Sequence, residues 1–211
     1  MRLLCLTVFC TAQTNTGALV IGAWGITTDI KLERVAVRNC GGAGISVGNN
    51  VQRLEILDSA VLSVGASGIQ VNAGTNVTDV LVNNSLINDT ARVILGQPGG
   101  IRIKGQRNMS VTHCTVGHNP YAGIMIGWQQ ITDATQKDTI FDIGHNEVHN
   151  YGMGTLSDFG GVYLSSADNL CFQKEPPLCH LPTLVHDNYI HDCKRYNYGC
   201  QGIYMVSRSL R

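Results

Sequence analysis

The segment HNEVHNYGMGTLSDFGGVYL (residues 145–164) and the segment DNYIHDCKRYNYGCQGIY (residues 187–204) place their polar and apolar residues in the same order. Each has an Asn two positions before an apolar residue, and each ends on a glycine followed by alternating apolar residues. A pattern that returns in this way indicates a structural repeat. We therefore expect further copies of the same unit along the chain.

A glycine followed by alternating apolar residues marks each copy. Alternation over four residues is typical of a strand, with Ile45 and Val47, for example, on one face. The marker glycines are Gly17, Gly44, Gly68, Gly100, Gly123, Gly161 and Gly202. From Gly44 onward the marker recurs after 24, 32, 23, 38 and 41 residues. The short intervals give the period of the repeat, and the long ones contain insertions.

Each interval also contains a small polar residue, which in every case after Cys40 is followed two positions later by an apolar one. The aligned polar residues are Cys40, Ser59, Ser85, Cys114, Asn146 and Asn188. Three short strands in a period of about two dozen residues predict an all-β, right-handed parallel β-helix of about six to seven rungs, with loop insertions in the C-terminal half. We expect the polar column at a bend, where it bonds the backbone, so Cys40 and Cys114 are expected to be structural.

Two other fold classes are less consistent with this sequence. No segment combines helical apolar spacing with capping residues, which argues against an α/β fold. A β-sandwich or propeller would also have short strands bounded by glycine. Neither would predict one fixed column of small polar residues.

Composition limits the partners. Only 14% of the residues are charged and the formal net charge is zero, so we expect neither nucleic acid nor an anionic membrane surface as a partner. No stretch is long enough to span a bilayer. All seven His and all seven Tyr lie at or beyond His113, which concentrates the side chains suited to ligand binding in the second half.

The N-terminus and the cysteines suggest an extracellular protein. Residues 1–12 are expected to be a signal peptide or a first strand, and residues 13–211 a single β-helix domain that is incomplete at its C-terminus. Local disulfides are expected between Cys171 and Cys179 and between Cys193 and Cys200. Because no cysteine spacing is CxxC, we expect no zinc site, and we predict no metal or other cofactor. Glycosylation sequons begin at Asn76, Asn83, Asn88 and Asn108.

Two groups of residues could carry chemistry. His149 and His191 align in successive rungs with Asp192 beside them, so they could bind sugar hydroxyls or move a proton. The alternative is a polar ladder of turn residues. Asp158 precedes a strand that contains Tyr163, and a carboxylate fixed there would suit glycoside cleavage. An Asp in a glycine-rich turn can equally be a turn former.

The two repeated segments resemble the pattern HNxIHDxGxGxLSDxGGIY…NNxIHDxxxxxYGGxGIYxDEGS of right-handed β-helix proteins related to glycoside hydrolase family 141. The similarity covers about 60 residues and implies action on carbohydrate, with acid groups from the LSD and DEG elements as the catalytic pair. The first acid corresponds to Asp158. Val206 and Ser207 stand where the resemblance places the acids of the second element, so the pair is incomplete in this chain.

The leading hypothesis is a carbohydrate-active, glycoside-hydrolase-like protein with a groove along residues 144–204 and an incomplete catalytic pair. Its partner would be a polysaccharide or oligosaccharide, contacted by Asp158, His149, His191, Asp192, Tyr163 and Tyr204. The first alternative is a non-catalytic carbohydrate-binding or adhesive β-helix, for which Tyr189, Tyr196 and Tyr198 add stacking surfaces. The second is a polysaccharide lyase, although few basic residues and no acidic cluster lie near the groove. The sequence leaves enzymatic activity and the oligomeric state open.

Overall fold

The computed structural model describes residues 17–22, 25–71, 77–95, 99–104, 107–127, 141–166 and 183–207. These residues form 19 strands and no helix, numbered here in chain order and grouped into three sheets. Sheet 1 contains, in spatial order, β1 (Gly17–Ile21), β4 (Ala43–Val47), β7 (Ile69–Val71), β10 (Ile101–Ile103), β13 (Ile124–Gly127), β16 (Gly160–Ser166) and β19 (Gln201–Ser207).

The other two sheets have six strands each. Sheet 2 contains β17 (Leu184–His186), β14 (Phe141–Gly144), β11 (Arg107–Thr112), β8 (Thr78–Asn83), β5 (Val51–Leu57) and β2 (Thr27–Glu33). Sheet 3 contains β18 (Tyr189–Cys193), β15 (Glu147–Tyr151), β12 (Thr115–Asn119), β9 (Leu86–Asn88), β6 (Ala60–Val64) and β3 (Ala36–Cys40).

The chain visits sheets 2, 3 and 1 in turn, and each strand pairs in parallel with its counterpart one rung away. This topology is a parallel β-helix with β1 followed by six three-stranded rungs, as the sequence predicts. Its right-handed sense follows the general rule for parallel crossover connections.

The register of sheet 1 confirms the intervals between the markers from Gly44 onward. Ile45 pairs with Ile69, and the same column continues through Ile101, Ile124, Val162 and Ile203. The first five of these side chains are fully buried. Ladders of Ile and Val therefore form a continuous apolar core, in which each buried side chain contributes about 1.5–3 kcal/mol.

The column of small polar residues lies at the bend between sheets 2 and 3, where it bonds the backbone of the preceding rung. The hydroxyl of Ser59 accepts from the N–H of Val35 at 3.2 Å, and Ser85 accepts from Ser59 at 3.1 Å. Further along, Asn146 Oδ1 accepts from the Cys114 N–H at 2.9 Å. The bend is therefore held by side chains as well as by strand pairing.

Two assignments in the alignment were wrong by a few residues. Cys40 does not belong to the polar column, because it pairs with Val64 inside sheet 3, and Val35 holds the place next to Ser59. The error arose because the residues around Cys40 match those around Ser59 in polarity. Gly17 pairs with Ala43 rather than with Gly44, so the first marker is shifted by one residue.

Sixteen of the 21 described non-glycine residues with positive φ stack into three columns, one of them at the bend between sheets 2 and 3. The columns are Asp29, Arg53, Asp79 and Asn108; then Arg34, Asp58, Asn84, His113, His145 and Asp187; then Asn39, Ser63, Asp89, His118, Asn150 and Asp192. Asp, Asn and His are the non-glycine side chains that most readily adopt this left-handed conformation. The same backbone positions therefore adopt the left-handed conformation in successive rungs.

Cys193 and Cys200 form the predicted disulfide, which is compatible with an oxidising compartment. Cys114 is a buried free thiol, and burial raises its pKa to about 11, in keeping with a structural role. The expected signal segment, the pair of Cys171 and Cys179, the sequon at Asn76 and most of the long insertions lie outside the described residues. Within the described part of the chain, no helix has the length and apolar character needed to cross a bilayer.

Candidate functional site

Asp158 lies in the connection between β15 and β16, where the chain passes from sheet 3 to sheet 1. Its φ of 67° is positive, and its N–H donates to the Tyr198 carbonyl at 3.0 Å in the corresponding connection of the next rung. Gly199 makes this close approach possible, because an added Cβ would lie 2.7 Å from the Asp158 nitrogen. Two successive connections are therefore packed together around Asp158.

Tyrosine hydroxyls from two rungs donate to Asp158, and a third tyrosine packs beside them. Tyr204 donates to Asp158 Oδ1 at 2.8 Å, and Tyr121 donates to the Asp158 carbonyl at 2.8 Å. Tyr163 is hydrogen-bonded to the Tyr121 hydroxyl, and its ring stacks on that of Tyr204 with centroids 4.9 Å apart. We call Asp158, Tyr121, Tyr163 and Tyr204 the Asp158–tyrosine cluster.

The tyrosines of this cluster remain protonated donors at neutral pH. The hydrogen bond to Asp158 is the main cause that raises the pKa of Tyr204. Burial raises the pKa of Tyr121 to about 12, and burial likewise raises the pKa of Tyr163 well above its ordinary value. Tyr204 therefore orients the Asp158 carboxyl group through one neutral hydroxyl donor, while Tyr121 holds the Asp158 backbone carbonyl.

The accessible part of this region is provided by Asp158, Tyr204 and the loop of residues 194–200. That loop is closed by the Cys193–Cys200 disulfide and presents Tyr196 and Tyr198, which are 78% and 55% exposed. Tyr163, expected to contact a ligand, is only 3% exposed and supports Tyr204 from the side. The region combines exposed aromatic rings with an oriented carboxylate.

His149, His191 and Asp192 come together on the outer face of sheet 3. The two imidazoles stack with centroids 5.6 Å apart, and His191 Nδ1 lies 2.8 Å from Asp192 Oδ2. His191 also stacks on Tyr189, and its Nε2 lies 3.4 Å from Glu147 Oε1. The hydrogen bond with Asp192 is the main cause that raises the pKa of His191, and the bond with Glu147 adds to it.

The structure thus divides the expected site residues between two sheets. The Asp158–tyrosine cluster lies on sheet 1, whereas the histidines lie on sheet 3.

No family model, curated protein or solved structure matches the chain. What each set of residues can do is therefore inferred from its geometry.

Sequence reasoning missed Tyr121, which lies 37 residues before Asp158 in the chain. A signal for it is present, because Tyr121 precedes the marker Gly123 by two residues, just as Phe159 precedes Gly161. Equivalent positions in adjacent rungs stack, and the rings of Tyr121 and Phe159 are in contact with centroids 5.6 Å apart. A systematic comparison of the residues before each marker would have found it.

A concavity on the outer face of sheet 2 was also absent from the sequence reasoning. It is lined by charged residues that include Asp29, Arg53, Glu55 and Asp79. Arg53 binds Asp29 through two hydrogen bonds of 2.6 and 2.8 Å, and this pairing lowers the pKa of Asp29 to about 2. The paired charges form an exposed salt bridge, which is common on protein surfaces and indicates no particular ligand.

Proposed function

We propose that the protein binds a polysaccharide or oligosaccharide on the outer face of sheet 1, over Asp158, Tyr204 and the tyrosines of the 194–200 loop. The observation that carries the proposal is the hydrogen bond from the Tyr204 hydroxyl to Asp158 Oδ1, with exposed tyrosine rings beside it. A sugar ring has hydroxyl groups at its edge and C–H groups on its faces. An oriented carboxylate accepts from the first and an aromatic ring packs against the second.

The resemblance to proteins related to glycoside hydrolase family 141 supports the same class of ligand, because Asp158 stands in the LSD element. Hydrolysis through a carboxylate pair needs two acid groups on either side of the glycosidic bond. Val206 and Ser207 occupy the positions that the resemblance assigns to the second element. We therefore propose carbohydrate binding without hydrolysis, on the same surface that a hydrolase would use.

The test is a glycan array with the purified chain, followed by calorimetric titration of the best ligand. We expect Tyr198→Ala to weaken binding about tenfold, because loss of one aromatic contact of roughly 1.4 kcal/mol corresponds to that factor. Tyr189→Ala is the matched control, since Tyr189 is 66% exposed but lies on sheet 3. Equal losses in the two variants would show that the ligand does not sit on sheet 1.

Catalysis is measured on the same ligands. We expect no release of reducing ends and no ultraviolet absorbance from an unsaturated uronide. Hydrolysis that disappears in Asp158→Asn would show that another acid completes the pair and would replace binding by glycoside hydrolysis. An unsaturated product would instead indicate a lyase.

A further inference from the structure

A second cluster of ionisable side chains lies at the bend between sheets 2 and 3, outside the proposed sugar surface. It consists of His145, His186 and Asp187, and one possible ligand atom from each lies within 4.8 Å of the others. His186 Nδ1 is 2.8 Å from Asp187 Oδ2, and His145 Nε2 is 3.9 Å from the same oxygen. Two imidazoles and one carboxylate therefore converge on one point at the surface.

The backbone fixes the positions of these three residues. His145 and Asp187 occupy the same column of positive-φ residues, at the bend between sheets 2 and 3, in successive rungs, with φ values of 57° and 49°. His186 pairs with Gly144 across β14 and β17, and an added Cβ at Gly144 would lie 2.5 Å from the His186 ring. The His186 imidazole therefore lies directly over a glycine, which gives it room to reach the corner.

Neighbouring rings restrict His145 in the same way. Its imidazole stacks on His113 with ring centroids 4.9 Å apart and is perpendicular to the His186 ring, with centroids 5.1 Å apart. A ring held on both sides has few alternative rotamers, so less conformational entropy is lost when it binds a ligand.

Asp142 provides an outer-sphere partner for His186. Its Oδ1 lies 3.0 Å from Nε2 of His186, on the side of the ring opposite to Asp187. A carboxylate at the distal nitrogen of a ligating imidazole is the usual outer-sphere arrangement of histidine metal sites, because it fixes the tautomer and the ring orientation. Asp142 thus leaves Nδ1 directed towards the point where the other two side chains converge.

We propose that His145 Nε2, His186 Nδ1 and Asp187 Oδ2 form a binding site for a divalent transition-metal ion, with zinc as the ion to test. Two imidazoles with one carboxylate suit zinc and its neighbours in the first transition row, whereas Ca²⁺ and Mg²⁺ prefer sites made of oxygen ligands. Three protein ligands leave one tetrahedral position for water or another ligand. Cysteine spacing, on which the expectation of no zinc site rests, gives no information about stacked histidines.

The experiment is calorimetric titration of ZnCl₂ into the chelator-treated full chain, without a polyhistidine tag, at pH 7.5. We expect one zinc ion per chain and no heat with CaCl₂. His145→Ala and His186→Ala should each lower the affinity by more than tenfold. Asp142→Asn should lower it about tenfold or more, because loss of an outer-sphere partner typically costs 10–100-fold.

The matched control is His191→Ala. His191 also lies between two carboxylates, but Asp192 and Glu147 sit at its opposite ring nitrogens and do not converge on one point with a second imidazole. Its removal should leave zinc affinity unchanged. Circular dichroism and thermal unfolding of each metal-free variant establish that it is folded.

Two results would overturn the proposal. The first is zinc binding that survives in folded His145→Ala and His186→Ala, which would place the ion elsewhere. The second is that the wild-type chain shows no saturable binding below about 100 μM zinc. A dissociation constant of that size corresponds to a binding free energy of roughly −5.5 kcal/mol. Neither result bears on the sugar site, because the cluster lies on a different part of the coil.

Discussion

Replacement of Asn146 by alanine should destabilise the coil by about 3 kcal/mol. Asn146 is 2% exposed, its Oδ1 accepts from the Cys114 N–H at 2.9 Å, and its Nδ2 donates to the Val111 carbonyl at 2.8 Å. Truncation leaves the buried N–H without a partner, which costs about 1–3 kcal/mol, and the loss at the carbonyl adds about 1 kcal/mol. The expected sum is therefore about 3 kcal/mol.

The matched variant is Asn146→Ser. Ser85 holds the same column position, where its hydroxyl accepts from the Ser59 N–H at 3.1 Å and donates to the Asn83 carbonyl at 2.9 Å. A serine at position 146 can accept from the Cys114 N–H in the same way and donate to the carbonyl two residues before it, so only the bond to the Val111 carbonyl is lost and we expect a loss of about 1 kcal/mol.

Equilibrium unfolding in urea at 25 °C, followed by far-ultraviolet circular dichroism, gives the two free energies. The reasoning requires alanine to be clearly worse than serine. If the two variants agree within about 0.5 kcal/mol, the column does not act through hydrogen bonds to the backbone.

Two other predictions follow from contacts elsewhere in the coil. Gly65→Ala should destabilise the fold by about 3 kcal/mol or more, because the added Cβ would overlap the Gly41 backbone. Gly117→Ala should cost below about 1 kcal/mol, because only the His149 imidazole must move. Urea unfolding measures both free energies, and equal costs would contradict the packing argument. The raised pKa of His191 means that its charge stabilises the folded state below the ordinary pKa of 6.5, and that this stabilisation is lost as pH rises through the folded pKa. Asp192→Asn should lower this pKa in a nuclear magnetic resonance titration, and an unchanged value would refute the assigned cause.

The fold was predictable because stacking imposes one chemical environment on each column. The Ile and Val residues after the marker glycines reveal the period even though the intervals vary, since insertions fall between strands. Register was harder to predict where two columns have similar polarity. Cys40 was misplaced for this reason, because Val37 pairs with Val61 rather than lying opposite Ile56.

The candidate site was predictable only in part. Asp158 and Tyr204 stand out in the sequence, and the structure joins them by a hydrogen bond. The separation of the histidines from Asp158 could not be seen, because a linear pattern does not tell which of three sheets faces a given direction. His186 was overlooked because it aligns with Gly144. The sequence does not reveal that an imidazole from the next rung can pack over a glycine.

The columns of positive-φ residues also affect how such a coil can acquire new ligands. Positions with positive φ accept Asp, Asn and His at low conformational cost, and these same residue types supply oxygen and nitrogen donors that bind cations. In successive rungs, a requirement of the backbone therefore places donor atoms in rows along the outside of the molecule. A single-nucleotide change converts Asn to Asp or to His, and at such a position it would change the ion preference while leaving the path of the chain intact. Parallel β-helices are therefore well suited to evolve metal sites.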